Sequence, residues 1–467
     1  MDVFCVEKFG GSSLSSAKKM RHIAKLFAKR KQACLIVLSA VEGATNSLQL
    51  LTQESISSCK ESINQSLEDF FNKHRQIALD LCASEETLLT MESLFKEIFT
   101  LIEGMRLLKE SSLRSIDRLL SFGEFLSTLL FMEALKSENI PAQKFDSREV
   151  MKTDNTFGQA KPLRKEIRSH TQKKLLPLLS HKQYLVCQGF IGSTEDGDTT
   201  TLGRGGSDYS ASLFAEALSA KKLFIWTDVP GILSCDPRMI PKSHTIPEIS
   251  FVEATELATF GAKVLHPATL SPAIRNQIPV FVGSTFHRER KGTWIKKHVN
   301  NLPVIRAIAV RRNQTLLIAT NVEMFQACGF LAKLFSLLAK HHISVDLVTT
   351  SEVSVSVTLD NPSHLTRESI RDLKKIADIT IEKHFSLVAV IGNRLTLTKG
   401  MAKKIFESIN KYNIRLICHG SSENNICFLV DEKEVCEVVK HLHYQLFNNN
   451  NHSKKTSMKE SHEIFMA

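Results

Sequence analysis

The stretch DVFCVEKFGGSSLSSAKKMRHIAKLFAKRKQACLIVL, residues 2–38, decides the fold class. Asp2 to Phe9 is an apolar, strand-like run, and Gly10, Gly11, Ser12 and Ser13 break it. Ser16 to Lys31 carries apolar residues at helical spacing, and Leu35 to Leu38 is an unbroken apolar run of the kind buried on both faces of a sheet. Strand, helix and strand make a βαβ opening. From about Leu51 to Asn139 the pattern is helical, with Leu67, Phe70 and Phe71 and then Leu126, Leu129 and Leu130 at spacings of three and four, and no Pro. This reads as a helical insertion over about 52–140. After Pro141 alternation returns: a strand from Tyr184 to Gln188, a Gly- and Thr-rich loop from Gly192 to Gly206, a helix from Ser207 to Ala220, and a strand from Leu223 to Thr227. Alternating strands and helices predict an α/β fold, an open and mostly parallel sheet with helices on both faces.

Beyond Val304 the elements become short and a repeat appears. GFLAKLFSLLAKHHISVDLVTTSEVSVSVTLD, from Gly329, aligns with GMAKKIFESINKYNIRLICHGSSENNICFLVD, from Gly400, at a constant offset of 71. Phe335 meets Phe406, Ile343 meets Ile414, Ser351 meets Ser422, Glu352 meets Glu423 and Asp360 meets Asp431. Each copy reads helix, strand, loop, strand, and Val353, Val355, Val357 and Leu359 alternate with polar neighbours as a half-buried antiparallel strand does. Two small modules are therefore expected at 304–447, after a large domain at 1–300. The Asn-, Lys- and Ser-containing stretch 448–467 is expected to be disordered.

With 467 residues, 43% hydrophobic and 23% charged, the chain has the composition of a multi-domain globular protein. No stretch approaches the roughly 20 apolar residues of a membrane span. The start carries no leader-like segment, and the chain is expected to begin where the fold begins. Ten cysteines, such as Cys5, Cys34, Cys187 and Cys328, sit mostly in apolar runs without a C-x-x-C pair, which predicts reduced, buried thiols and a cytoplasmic location. The net charge of +11 is diffuse; its denser patches, Lys161 to Lys174, Arg288 to Lys297 and the tail from Lys454, carry no groove-reading motif. Neither nucleic acid nor a membrane is expected as a partner.

Three glycine-rich loops follow predicted strands: Gly10 and Gly11, Gly203 to Gly206, and Pro230 with Gly231. Such loops aim backbone N–H groups at phosphates, although glycine serves any tight turn. The chain has no P-loop and no dinucleotide fingerprint. Lys8 stands at the mouth of the first strand, where a point charge neutralises phosphate, and Arg204 lies inside the second loop, where a guanidinium clasps a carboxylate. Ser207 and Asp208 begin the next helix, and Ser207 has a plain alternative role as a cap. Lys8, Arg204 and Asp208 at strand ends make the polar rim where open α/β sheets bind ligands.

VEKFGGSS (6–13), SFGEFLSTLLF (121–131), QGFIGS (188–193), TTTLGRGGSDYSA (199–211), IWTDVPGI (225–232), DPR (236–238), ATFGAKVLHPATL (258–270) and RRNQTLL (311–317) resemble aspartate kinase, from Val6 to about Phe447. SVDLVTTSEVSV (344–355) is similar to the regulatory site of the lysine-sensitive, single-activity type. The resemblance implies an amino-acid-kinase fold followed by two ACT modules of βαββαβ, ferredoxin-like form. It implies transfer of the γ-phosphoryl group of ATP to the side-chain carboxylate of L-aspartate, giving 4-phospho-L-aspartate, the entry to lysine, diaminopimelate, threonine and methionine synthesis. By the same resemblance Lys8, Phe9, Gly10, Gly11, Thr227, Asp228, Leu233, Arg238, Lys263 and Val264 surround ATP. Ser39, Thr45, Glu124, Arg204, Ser207 and Asp208 hold aspartate, and Lys8, Arg204 and Asp208 carry the chemistry. Glu124 has a plain alternative near a helix start, favouring the dipole, and Lys263 as a surface lysine. Mg2+ arrives with ATP; no protein-only metal site and no tightly bound organic cofactor are expected. Met324, Gly329, Phe330, Leu331, Ser344, Val345, Asp346, Thr350, Ser351 and Glu352 form an L-lysine pocket between ACT modules of two subunits, so a homodimer, or a tetramer, is expected. Asp346 alternatively just ends a strand. Two positions depart from the family: Ser12 replaces threonine, and Leu233 replaces a tyrosine near the nucleotide.

Overall fold

In the computed structural model, which describes residues 4–28, 33–180, 184–261, 267–287, 291–300, 303–325 and 328–448, the opening βαβ unit is present. β1 (Cys5–Phe9) and β2 (Cys34–Leu38) lie parallel, with Cys5 opposite Cys34 and Phe9 opposite Leu38, and every residue of both is buried. α1 (Ala17–Phe27) joins them. Its Ser16 hydroxyl accepts from the Lys19 N–H at 3.4 Å, and Met20, Ile23, Ala24 and Phe27 form its buried face. The helix ends at Phe27; Lys31, where the helical spacing in the sequence ends, lies outside the described residues.

The helical insertion consists of α2 (Ala44–Ser57), α3 (Lys60–Asp80), α4 (Glu85–Leu108) and α5 (Leu113–Ser137). It starts earlier than the sequence suggested because Ala44 and Leu48 already belong to the buried face of α2, behind a polar first turn. β3 (Ala142–Phe145), α6 (Arg164–His170), α7 (Leu176–Ser180) and β4 (Tyr184–Gln188) follow. The expected loop over 192–206 is instead mostly a hairpin of β5 (Ile191–Ser193) and β6 (Thr199–Thr201). Thr199, Thr200 and Thr201 are buried, and a buried β-branched run prefers strand over loop. α8 (Gly206–Ala217), β7 (Lys222–Thr227), β8 (Glu248–Ser250), α9 (Phe251–Thr259), α10 (Pro267–Arg275), β9 (Val280–Ser284) and β10 (Thr293–Lys296) complete this part. The eight strands run β3-β4-β2-β1-β7-β9-β10-β8, parallel throughout from β3 to β9 and antiparallel only between β9 and β10. The fold is therefore the open, mostly parallel α/β sheet expected, with β1 central.

The second sheet has six strands in the order β12-β13-β11-β14-β16-β15. β11 (Ile305–Thr320) leads to α11 (Phe330–Lys340), β12 (Val348–Thr350), β13 (Ser354–Leu359) and α12 (Arg367–Leu373). β14 (Asp378–Gly392) leads to α13 (Met401–Glu407), β15 (Leu416–His419), β16 (Asn425–Asp431) and α14 (Val435–His443). The repeat is visible in the backbone: Gly329 and Gly400, at φ 87° and 78°, each precede the first helix of their copy. The copies are not separate beads. β11 and β14 pair along almost their whole length, β13 adds to the Thr315–Thr320 half of β11, and β16 adds to the Phe385–Ile391 half of β14. In the first copy the strand after the helix runs from Val348, and just before it Asp346 N–H and Leu347 O bond to Thr358.

By compactness the chain divides into two units, 1–232 with 245–251 and 264–299, and 233–244 with 252–263 and 300–467. The first has its core around Phe9, Phe27, Phe131 and Trp226; the second has one apolar cluster under each half of its sheet. All ten cysteines are free, but Cys59, Cys82 and Cys328 are exposed, correcting the expectation of buried thiols. No helix among the described residues is long and apolar enough to cross a membrane.

Candidate active site

The carboxyl ends of β1, β2, β7 and β9 are tied into one rim. Ser39 N–H donates to Phe9 O at 3.1 Å and Gly10 N–H to Trp226 O at 3.1 Å. The Ser13 and Thr285 hydroxyls meet at 2.7 Å, and Thr285 N–H donates to Thr227 O at 2.9 Å. Gly11 has a steric reason: a Cβ there would lie 2.8 Å from Ala40 O, so only glycine lets the first loop press against the turn after β2.

On this rim Lys8 Nζ lies 2.6 Å from an Asp208 carboxylate oxygen, with little solvent on either side chain. Asp208 sits in the first turn of α8, where the helix dipole favours a negative group. The cap of that helix is Gly205 at φ 72°, without a side-chain hydrogen bond, so Ser207 is not its cap. Ser207 instead packs against the end of β4, where a Cβ on Gly189 would lie 2.8 Å from its own Cβ. Arg204 stands exposed between Gly203 (φ 73°) and Gly205, and makes no ion pair among the described residues. Thr227 donates to the exposed Asp228 carboxylate at 3.0 Å.

Glu124 lies in the middle of α5, which excludes the helix-dipole reading, and is 2% exposed. A Cβ on neighbouring Gly123 would lie 2.8 Å from Ala40 Cβ; that close approach brings Glu124 Oε1 to the Ala40 N–H at 3.1 Å. Oε2 has no hydrogen-bond partner among the described residues. Burial pushes this carboxyl up to about 8, against the pull of the Ala40 N–H and the Lys8 charge. Ser39 and Thr45, both half-buried, stand at the end of β2 and in the first turn of α2.

The other nucleotide candidates are not among the described residues of the first unit. Leu233 and Arg238 belong to the second unit, Arg238 exposed and paired with Asp236 at 2.5 Å; Lys263 and Val264 lie outside the described residues. The second unit also holds groups that the sequence pattern does not reveal. Ser234 Oγ bonds His443 Nε2 at 3.0 Å and its carbonyl accepts from Ile308 N–H at 2.8 Å. On α9, Glu253 pairs with Arg306 at 3.2 Å, both buried, and Glu256 accepts from Ser422 Oγ at 2.7 Å and Asn425 Nδ2 at 2.6 Å. Ser422 was reachable from sequence, as the repeat mate of Ser351.

Among the regulatory candidates, Asp346 ends no strand; it pairs with Arg311 Nη1 at 2.8 Å, while Arg311 Nη2 donates to Thr259 O at the end of α9. Ser351 Oγ bonds Ser354 Oγ at 2.7 Å in the turn after β12, which carries Thr350 at its end. Met324, Phe330 and Val345 pack against the apolar cluster beneath β11 and β13, whereas Gly329, Leu331, Ser344 and Glu352 are exposed.

Residues 4–284 match the amino acid kinase family and residues 388–446 an ACT domain. The lysine-sensitive aspartokinase 3 of Escherichia coli is 43% identical over 96% of this chain and 100% of its own length. Aspartokinase 1 of Arabidopsis thaliana, a chloroplast protein, is 34% identical over 95% of this chain and 80% of its own. Two crystal structures of the E. coli enzyme match at 43% identity over 95% of this chain. The complex with aspartate and ADP has a TM-score of 0.85 and covers 100% of that chain; the complex with lysine and aspartate has a TM-score of 0.79 and covers 99%.

Proposed function

The chain belongs to the aspartokinase family, and on that premise we propose how its residues carry the transfer of a phosphoryl group from ATP to the side-chain carboxylate of aspartate. MgATP and L-aspartate are the substrates. One aspartate carboxylate oxygen forms a bond to the γ-phosphorus as the bridge from the β-phosphate breaks, and ADP leaves. The attacking carboxylate is ionised at neutral pH, so no general base is needed and catalysis consists of alignment and charge stabilisation.

The observation that carries the assignment is the pairing, on one sheet rim, of a shielded Lys8 with Asp208 beside a buried carboxyl, Glu124, with an open oxygen. Lys8 neutralises charge on the moving phosphoryl group, and Gly10 and Gly11 bring backbone against the phosphates after Phe9. Arg204, without an ion pair among the described residues, takes the substrate α-carboxylate; Glu124 takes the α-ammonium; Ser39, Thr45 and Ser207 supply hydroxyls. Asp208 is the carboxylate that would face the water shell of the magnesium accompanying ATP, whose charge would shield the phosphates. Thr227 and Asp228 complete the nucleotide end, while the roles of Leu233, Arg238, Lys263 and Val264 rest on motif resemblance alone.

L-Lysine is the proposed feedback inhibitor, since the E. coli relative is lysine-sensitive and the matching positions include the acidic Asp346 and Glu352. Asp346 is held by Arg311, so an effector ammonium exchanges with a guanidinium rather than meeting a free charge. The ACT modules are proposed to pair two copies of the chain, in the cytoplasm. ADP release by the purified protein with MgATP and L-aspartate, with and without L-lysine, tests the reading. Aspartate-dependent turnover suppressed by lysine is the expected result; ADP release indifferent to aspartate overturns the substrate assignment.

A further inference from the structure

We infer that Asp117 is a positioning residue that holds the Arg204 loop at a fixed place relative to the helix bearing Glu124, and so determines how well the α-carboxylate of aspartate is read. The inference rests on the proposed roles of Arg204 and Glu124. Asp117 is completely buried on α5, seven residues and thus two turns before Glu124. One carboxylate oxygen accepts from Gly158 N–H at 2.9 Å and Thr201 N–H at 2.8 Å; the other accepts from Thr201 Oγ1 at 2.7 Å. Thr201 ends β6, and only Leu202 and Gly203 separate it from Arg204.

The same contact gathers a third segment. Ala160 N–H donates to Thr201 O at 2.9 Å, and a Cβ on Gly203 would lie 3.1 Å from Gln159 Cγ and 3.2 Å from Gly158 O. The turn at Gly158–Ala160, the hairpin strand and α5 therefore meet at one carboxylate beside the loop. Among the described residues β6 pairs only with β5, three residues against three, and an isolated two-stranded ribbon is marginal in water. An acid buried without a cation is costly unless its oxygens are filled. Here three donors fill them, and burial raises the carboxyl above its ordinary value. What that arrangement gains is a rigid base for Arg204, which has no ion pair of its own among the described residues.

The test is steady-state kinetics on the full-length protein and its Asp117→Ala, Asp117→Asn and Thr201→Val variants. L-Aspartate and MgATP are varied, and β-alanine is added as a competitive inhibitor that keeps the ammonium and the reacting carboxylate but lacks the α-carboxylate. Asp117→Ala is expected to raise the KM for aspartate about tenfold or more, with the KM for MgATP and the inhibition constant of β-alanine within about twofold. Asp117→Asn is expected to restore the aspartate KM, because its amide oxygen takes both backbone donors and its nitrogen donates to the Thr201 hydroxyl. Thr201→Val, which removes one bond only, is expected in between, and carries the test where the alanine variant does not fold. Both substrate KM values rising together, β-alanine weakening in step with aspartate, or no rescue by asparagine overturns the inference. A wild-type protein without aspartate-dependent turnover instead overturns the proposed function.

Discussion

Glu124 shows what a single side chain contributes. Its carboxyl, raised to about 8 by burial, keeps its proton in the fold through the range where an unfolded chain has lost it. The folded state thus binds the extra proton between the ordinary carboxylate value and about 8, and stability falls as pH rises through that window. In the proposed site, aspartate binding asks for the opposite state, a carboxylate facing an ammonium. The KM for aspartate is therefore expected to fall as pH rises toward 8, with protons released on binding, and Glu124→Gln is expected to lose that limb and bind aspartate weakly. Initial rates across pH, with calorimetry in two buffers of different ionisation enthalpy, check both. For Lys8→Met a kcat lower by about 100-fold or more is expected, with the KM for aspartate less affected; an unchanged kcat would remove Lys8 from the phosphoryl path. The residue types at these positions were legible in the sequence, with Lys8 one residue ahead of the Gly10–Gly11 pair and Arg204 between Gly203 and Gly205, and the roles drawn from them are proposals. Partnership was not. That Asp346 is held by Arg311, or that Glu124 sits in mid-helix against Ala40, depends on contacts between segments far apart in the chain.

Elements meet here through glycines, and that gives predictions of opposite sign. Gly189→Ala drives a Cβ to 2.8 Å from Ser207 Cβ and 3.0 Å from its Cα, so α8 must shift; a loss of about 1–3 kcal/mol and a raised KM for aspartate are expected. Gly104→Ala, in α4, meets nothing within 4 Å and is expected to stabilise by up to about 1 kcal/mol, with unchanged kinetics. Denaturant unfolding of the two variants side by side checks this. At this scale the long helices and buried parallel strands were readable because their periodicity is strong. The hairpin at Ile191–Thr201 was missed because Gly192, Gly197 and a run of threonines resemble loop composition; only burial makes that run a strand.

At the scale of the molecule, the boundary expected near residue 300 cuts through a packed body. Leu233–His244 and Val252–Lys263 cluster with the chain after Asn300, Cys235 and Ile240 lie in the core of the second half-sheet, and Glu253 is buried against Arg306. A 1–300 fragment takes Arg306 away from that buried charge and leaves that apolar surface bare. It is expected to aggregate or to lose MgATP-dependent activity, whereas a chain ending at Asn448 is not; a soluble fragment with the intact KM for ATP would refute this. Linear sequence could not foresee the arrangement, because a domain boundary drawn from composition assumes that neighbours in the chain are neighbours in the core.

The two longest strands carry a consequence for the history of the repeat. β11, 16 residues, and β14, 15 residues, each belong to both copies at once. A duplicated module can ordinarily be lost, swapped or reshuffled without harm to its twin. Here neither copy can be inherited alone, for excising one takes with it half the backbone on which the other is laid. A deletion of either copy is therefore expected to unfold the other.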